Sequence, residues 1–144
     1  MQKNTKNVFM KNILITGANG GIGSAIALAA AKAGYNVGLH YNKNHKNIDK
    51  LKIQLSEYNI NISTHCANIA NEEDIKIMFD EFISQHGSIY ALINNANTIF
   101  QTCRLEDMSA DRLQKVFQVN AIGNILCAKH AIKKDVTKTW LQWW

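Results

Sequence analysis

The stretch Thr16-Gly17-Ala18-Asn19-Gly20-Gly21-Ile22-Gly23 places four glycines in eight residues, directly after the apolar run Ile13-Leu14-Ile15 and directly before the alanine-rich segment Ser24 to Ala33. A strand that turns into a helix with so little chain between them needs residues that accept unusual φ angles. Glycine also leaves no Cβ between the backbone and whatever lies outside it. The first turn of a helix carries unpaired N–H groups and a partial positive charge, so a strand, a glycine turn and a helix in succession make an anion site. The anion that suits this reach is a pyrophosphate. The spacing, Gly17-x-x-x-Gly21-x-Gly23, is neither GxGxxG nor a P-loop, since no Lys-Ser/Thr pair follows. Its weight comes from its place in the first βαβ unit.

The rest of the chain keeps that alternation. Ile13–Ile15, Val37–Leu39, Ile60–Thr64 and Ile89–Ile93 read as strands, the last so continuously apolar that both its faces should be covered. Between them, Gly21 to Ala33 reads as a helix ending at Gly34. Leu51 and Leu55 mark a second helix over 48–58, and Ile75, Met78, Phe79, Phe82 and Ile83 mark a third that stops before Gly87. A fourth runs from an N-cap at Ser109 through Ala131 and is apolar nearly all round from Val116 to Ala128, which predicts burial on two sides, one of them against a partner. The pattern predicts an α/β fold, a doubly wound parallel sheet of about four strands. One domain over 11–134 is expected. Residues 1–10 read as an unstructured extension, with Met10 a natural alternative start. Residues 135–144, which hold all three tryptophans, break the pattern abruptly and read as the product of a reading-frame change.

Charge and cysteine content exclude several function classes. Net charge is +5, and residues 1–48 hold six lysines and no acid, yet no aromatic interleaving or RNA-binding motif accompanies them, so nucleic acid is not an expected partner. Cys66, Cys103 and Cys127 form no CxxC and the five histidines no HExxH, so neither a disulfide framework nor a metal site is expected. No segment has the length of a signal peptide's apolar region or of a membrane span, and the expected location is the cytoplasm.

Three motifs in order carry a resemblance: TGANGGIG after the first strand, Asn94-Asn95-Ala96 after the fourth, and Asn120 within FQVNAIGN. From about Lys11 to Lys134 the chain resembles the short-chain dehydrogenase/reductase family, most of all its 3-oxoacyl-carrier-protein reductases and glucose dehydrogenases. The resemblance implies a Rossmann-type sheet of which this is the N-terminal portion, an NAD or NADP cofactor, and interconversion of alcohols and ketones by hydride transfer. It implies that Gly17, Asn19, Gly20, Gly21, Ile22 and Gly23 wrap the cofactor phosphates, and that Asn95 and Ala96 lie along its ribose while Asn94 locks the strand. Asn68, with Ile69 beside it, stands where the family has an adenine-binding Asp, and its amide oxygen is expected to accept from the adenine amino group. Asn97 stands where the family has a glycine; asparagine tolerates positive φ better than most residues.

Cofactor choice follows from charge. Folds of this kind that prefer NAD place an acid at the end of the second strand to bind the ribose 2′-hydroxyl. Here that segment is Leu39-His40-Tyr41-Asn42-Lys43-Asn44, and the first acid of the chain is Asp49. His40, Lys43 and Lys46 leave a neutral to basic pocket, which favours NADP over NAD.

Reduction of a carbonyl also needs a proton donor whose pKa a nearby cation lowers. The family uses a Ser and a Tyr-x-x-x-Lys pair. The residues four positions after Tyr35, Tyr41, Tyr58 and Tyr90 are Leu39, His45, Ile62 and Asn94, so that pair is missing from these 144 residues. Of the family's catalytic set only Asn120 remains, and it equally suits a satisfied core amide. The expectation is a cofactor-binding half that is catalytically incompetent by itself. The alternatives are a non-catalytic module docked through its long helix on a second copy or a full-length relative, or a product without function.

Overall fold

The computed structural model describes residues 11–134. The expected extension and the tryptophan-rich tail lie outside them. Four strands, β1 (Asn12–Ile15), β2 (Asn36–Tyr41), β3 (Ile62–Cys66) and β4 (Ala91–Ile93), alternate with α1 (Gly21–Lys32), α2 (Lys46–Leu55) and α3 (Glu72–His86). A last helical stretch comprises α4 (Ala110–Phe117), a π segment (Gln118–Gly123) and α5 (Asn124–Lys134). All strand pairs are parallel, in the order β3-β2-β1-β4. This is the doubly wound arrangement expected, with β1 central and the glycine turn at its C-terminal end.

Alternation of side chains along β1 and β2 gives the sheet two apolar faces. Ile13, Ile15, Val37 and Leu39 pack with Ala27, Ala30 and Ala31 of α1 and with Ile48, Leu51 and Leu55 of α2. On the other face, Leu14 packs with Ile75, Met78, Phe79 and Phe82 of α3 and Cys127 of α5. Gly38 shows how close that second layer lies: a Cβ there would sit 2.6 Å from the Phe82 ring. Complete burial of Phe79 and Phe82 stabilises the α3 layer by roughly 1.5–3 kcal/mol per ring.

The helix ends follow local chemistry. Asn71 caps α3 by accepting from the N–H groups of Glu73 and Asp74, and three acids occupy its first turn, where the dipole favours them. Gly34 after α1 and Gly87 after α3 adopt φ of 82° and 80°, which glycine takes without penalty. Ser109 accepts from Arg112 N–H at 3.2 Å as the expected cap of α4.

Four expectations need correction. The fourth helix extends to Lys134 and is not one α-helix, because the π segment interrupts it. The second helix lies at 46–55 rather than 48–58, and the third strand at 62–66 rather than 60–64. β4 is confined to Ala91–Ile93 rather than 89–93; Ala91 and Ile93 pack on one core cluster and Leu92 on the other, so both faces are covered as expected, while its place at an edge of the described sheet leaves each residue only partly buried.

Candidate functional site

A cleft of about 510 Å³ opens at the C-terminal ends of the strands, and its lining gathers most of the residues singled out in the sequence. The β1–α1 turn contributes Gly17, Asn19, Gly20, Gly21, Ile22 and Gly23; the end of β2 contributes His40 and Asn42; the β3–α3 turn contributes Asn68 and Ile69; and the β4 end contributes Asn95 and Ala96. Tyr41, Lys43 and Asn120 do not line it. Asn97, significant in the sequence only as a stand-in for a glycine, also lines it; sequence reading missed Ala67, Thr98, Ile99 and Val119, which carry no motif chemistry and reach the cleft only through the fold.

The glycines are required by contact. Gly17 has φ of 65°, and a Cβ on it would lie 2.9 Å from Ala96 Cα. At Gly23 a Cβ would lie 2.3 Å from the Gly17 carbonyl oxygen, so the start of α1 rests directly on the turn. Gly20 occupies the N-cap of α1 without a side-chain cap, and no acid stands in the first turn. The amide groups of Gly21, Ile22 and Gly23 therefore open the helix toward the cleft with no earlier helical carbonyl to take them. Ile22, 72% exposed, and Ile99, 85% exposed, add apolar surface at the same cleft.

The asparagines mainly fix the backbone. Asn95 Nδ2 donates to the Thr16 and Gly17 carbonyls at 2.9 and 3.1 Å, and the N–H groups of Asn95 and Ala96 both donate to Thr16 Oγ1. Asn94 Nδ2 donates to Asn124 O at 3.0 Å, tying β4 to α5. Asn97 takes no positive φ, so the turn after β4 does not need the glycine that the family resemblance implied. Asn68 Oδ1 already accepts from Ala70 N–H at 3.1 Å, leaving one lone pair and both Nδ2 hydrogens for a ligand. Asn120 bridges the main chain of Thr98, accepting from its N–H at 2.7 Å and donating to its carbonyl at 3.0 Å. With both ends of the amide so engaged, Asn120 positions the loop after β4.

The π segment has a reason in packing. A Cβ at Gly123 would lie 2.5 Å from the Ile69 carbonyl oxygen, and Gln118 Nε2 donates to Ala70 O at 3.1 Å. The helix thus bulges where it presses on the β3–α3 turn, between the two residues that make the contact.

His40 departs from its expected part in a basic pocket. It is 2% exposed, its Nδ1 accepts from Gly17 N–H at 3.0 Å, and its Nε2 meets Ala67 O at 3.0 Å. Burial pushes its pKa below the ordinary imidazole value, partly opposed by the Ala67 carbonyl and assisted by His65. His40 thus contributes no positive charge to the cleft at neutral pH. Partial desolvation, then Cys66 and Asp49, hold the Tyr41 phenol above its usual value, so an acid does stand near the end of β2.

The lining holds amides, methyl groups, one hydroxyl and a neutral imidazole, without a carboxylate, thiol or ammonium group. Such a wall around uncapped helix amides can hold an anion. Among the described residues there is also no cluster of three or more metal-ligating side chains, and no helix is long and apolar enough to cross a membrane.

The model of the short chain dehydrogenase family matches residues 11–139. The chain belongs to this family. An uncharacterized oxidoreductase of Escherichia coli K12 is 30% identical over 125 residues, covering 87% of this chain and 51% of that protein. The 3-oxoacyl-[acyl-carrier-protein] reductase of Staphylococcus aureus is 32% identical over 121 residues, 84% of this chain and 49% of the reductase. Among solved structures, an NAD+-bound xylitol dehydrogenase superposes with a TM-score of 0.81 at 26% identity, over 88% of this chain and 49% of that one. An NADH-dependent reductase complexed with NAD gives 0.79 at 28%, over 87% and 52%. The chain spans about half the length of these family members.

Proposed function

We propose that this chain is the dinucleotide-holding half of a nicotinamide-dependent short-chain oxidoreductase, with NADP preferred over NAD. The observation that carries the reading is the uncapped, acid-free start of α1, whose amides open into a cleft without carboxylates. The residues present suit the cofactor: Gly21, Ile22 and Gly23 for the pyrophosphate, Asn95 and Ala96 near the ribose, and Asn68 and Ile69 at the adenine. When bound, the cofactor supplies or receives the hydride. The preference for NADP rests on exposed Lys43 and Lys46 after β2, with His40 removed from the argument and Asp49 opposing it. The Ser and Tyr-x-x-x-Lys groups of the family are not among these residues, so we expect no turnover from this chain alone.

Calorimetric titration of the 144-residue chain with NADPH and with NADH tests both parts of the reading. Saturable binding that favours NADPH is the expected result; equal affinities would refute the preference, and no binding by a folded chain would refute the site.

A second reading, a non-catalytic module that docks on a second copy or a full-length relative, is favoured by the apolar surface along α4 and α5. Phe117 and Ile125 are 61% and 67% exposed there. Co-purification of such a partner with a tagged chain would support it.

A further inference from the structure

His40 controls both amides at the start of the glycine turn. Its carbonyl accepts from Ala18 N–H at 2.8 Å, and its ring Nδ1 accepts from Gly17 N–H at 3.0 Å. The other ring nitrogen faces a carbonyl, Ala67 O at 3.0 Å, which can only accept. Nε2 must therefore carry the hydrogen and Nδ1 must be bare, so the tautomer is set by the two partners. The ring spans the β1–α1 turn and the end of β3 as a neutral strut.

A second proton has one place to go, Nδ1, and there it would point at the Gly17 N–H. Two donors at 3.0 Å repel, and a ring 2% exposed has little room to swing away. The turn would have to give, and it is the turn that sets the amides of Gly21, Ile22 and Gly23 in the cleft. The charged and titratable surroundings do not offset this. β1 and the turn supply none; β3 supplies His65, in register with His40. From α3, Glu81 meets His65 at 3.4 Å and Asp74 takes the Asn68 N–H at 3.0 Å, both beyond the His40 contacts.

We propose that neutral His40 is a positioning residue of the phosphate-binding turn, and that its protonation releases Gly17 and weakens dinucleotide binding. The inference rests on the dinucleotide reading of the cleft. Burial holds the His40 pKa below the ordinary imidazole value, so the latch is closed at neutral pH and opens only as pH falls through that lowered value.

Two measurements on the 144-residue chain test it. In the ligand-free chain, nuclear magnetic resonance would follow the Gly17 amide and the His40 ring nitrogens from pH 7.5 downward through the His40 midpoint, and the two should titrate together. A Gly17 amide that ignores the His40 titration overturns the proposal. Calorimetry with NADP+ over the same range should show the dissociation constant rising about tenfold per pH unit below the His40 midpoint, the limit for one coupled proton. In His40→Asn, whose Oδ1 can accept from Gly17 N–H without taking up a proton, that increment should vanish whatever the affinity at pH 7.5. Ionisation of the NADP+ phosphate is common to both proteins and cancels in the comparison. Parallel pH profiles for the two proteins overturn the coupling. A chain that binds no NADP+ at pH 7.5 refutes the dinucleotide reading and the coupling with it, while the Gly17 titration still decides whether the latch exists. Should the variant fail to fold, the resonance titration of the unmodified chain carries the test.

Discussion

Asn95 gives both hydrogens of its amide to the main chain of the glycine turn, at 2.9 Å to Thr16 O and 3.1 Å to Gly17 O. One side chain from the β4 end thereby fixes the two carbonyls that precede the anion-binding amides. Asn95→Ala would leave them without this donor in a part-buried setting. The expected cost is about 1–3 kcal/mol of stability, the usual range for orphaned buried polar groups, together with weaker dinucleotide binding. Urea unfolding monitored by circular dichroism would read the first; a midpoint shift worth less than about 0.5 kcal/mol, the size of an ordinary surface effect, would contradict the role.

The two glycines that open α1 should respond oppositely to a methyl group. In Gly23→Ala the Cβ would meet Gly17 O at 2.3 Å and Ala18 Cα at 2.8 Å, backbone that cannot step aside. Destabilisation of about 1–3 kcal/mol, as in overpacked cores, is expected. Gly21 has no atom within 4 Å of the same position and no positive φ. Gly21→Ala should therefore gain up to about 1 kcal/mol from lower unfolded-state entropy and better helix propensity. If the pyrophosphate lies against Gly21, that same variant loses NADP+ affinity while its thermal midpoint rises.

Much of the fold was legible because periodicity and punctuation agree. Gly34 and Gly87 end helices where the apolar spacing ends, and Ser109 caps where the next pattern begins. The cleft was legible where function uses the main chain, since the glycines of a turn are visible in any sequence. What could not be read depends on partners far along the chain. His40 offers the same letter whether it faces a phosphate or the Gly17 amide, and only the β2–β1 register decides between them. The π segment is likewise invisible to helical spacing, because its cause is the Ile69 carbonyl pressing on Gly123.

A second histidine group lies under α3. Ser63 Oγ sits 2.7 Å from His65 Nε2 and 2.8 Å from His86 Nε2, while His65 Nδ1 faces Glu81 at 3.4 Å. If His65 Nδ1–H donates to Glu81, the Ser63 hydroxyl donates to His65 and accepts from His86, which leaves His86 Nδ1 bare. That atom is buried and has no partner among the described residues. Burial lowers the pKa of both rings, for His65 against the pull of Glu81 and for His86 with the help of His65. The unfolded chain therefore binds more protons than the folded one in this range. Stability should be full above the ordinary imidazole value of about 6.5 and fall as pH drops toward the lowered values. Urea midpoints at pH 7.5 and 5.5 would measure this, and His86→Gln should reduce the difference. A midpoint independent of pH would show that His65 and His86 take up no protons on unfolding.

Glu72 extends the pH argument to the contact between α3 and α5. Its carboxylate meets Lys129 Nζ at 2.6 Å and His130 Nε2 at 3.2 Å, and these hydrogen bonds hold its pKa below the ordinary carboxylate value. A lowered pKa contributes stability above the unfolded-state value that disappears as pH falls through the folded one. Glu72→Gln should thus be less stable than the unmodified chain at pH 7 and match it more closely near pH 3, with added salt narrowing the gap at pH 7 because the pair is exposed. An equal difference at both pH values would assign the effect to packing.

The outer face of the last helical stretch should make the chain self-associate. Leu113 and Phe117, four residues apart, are exposed, and a regular α-helix would next bring Ala121 and Asn124 onto that side. The π segment takes up an extra residue, which carries the apolar stripe instead to Ile122 and Ile125, 45% and 67% exposed, and on toward Ile132. Burying an Ile or Phe side chain stabilises by roughly 1.5–3 kcal/mol, so a few such residues suffice for association at micromolar concentration once the cost of association is met. Sedimentation velocity is expected to show concentration-dependent species heavier than 16.2 kDa. Phe117→Glu combined with Ile125→Lys places charge on the stripe at positions that support no described core cluster, so it should restore a monomer with an unchanged circular dichroism spectrum. A dispersed monomer before any substitution would contradict the proposed docking face, and association that survives both charges would move it to the β4 edge, where unpaired strand groups offer the other route.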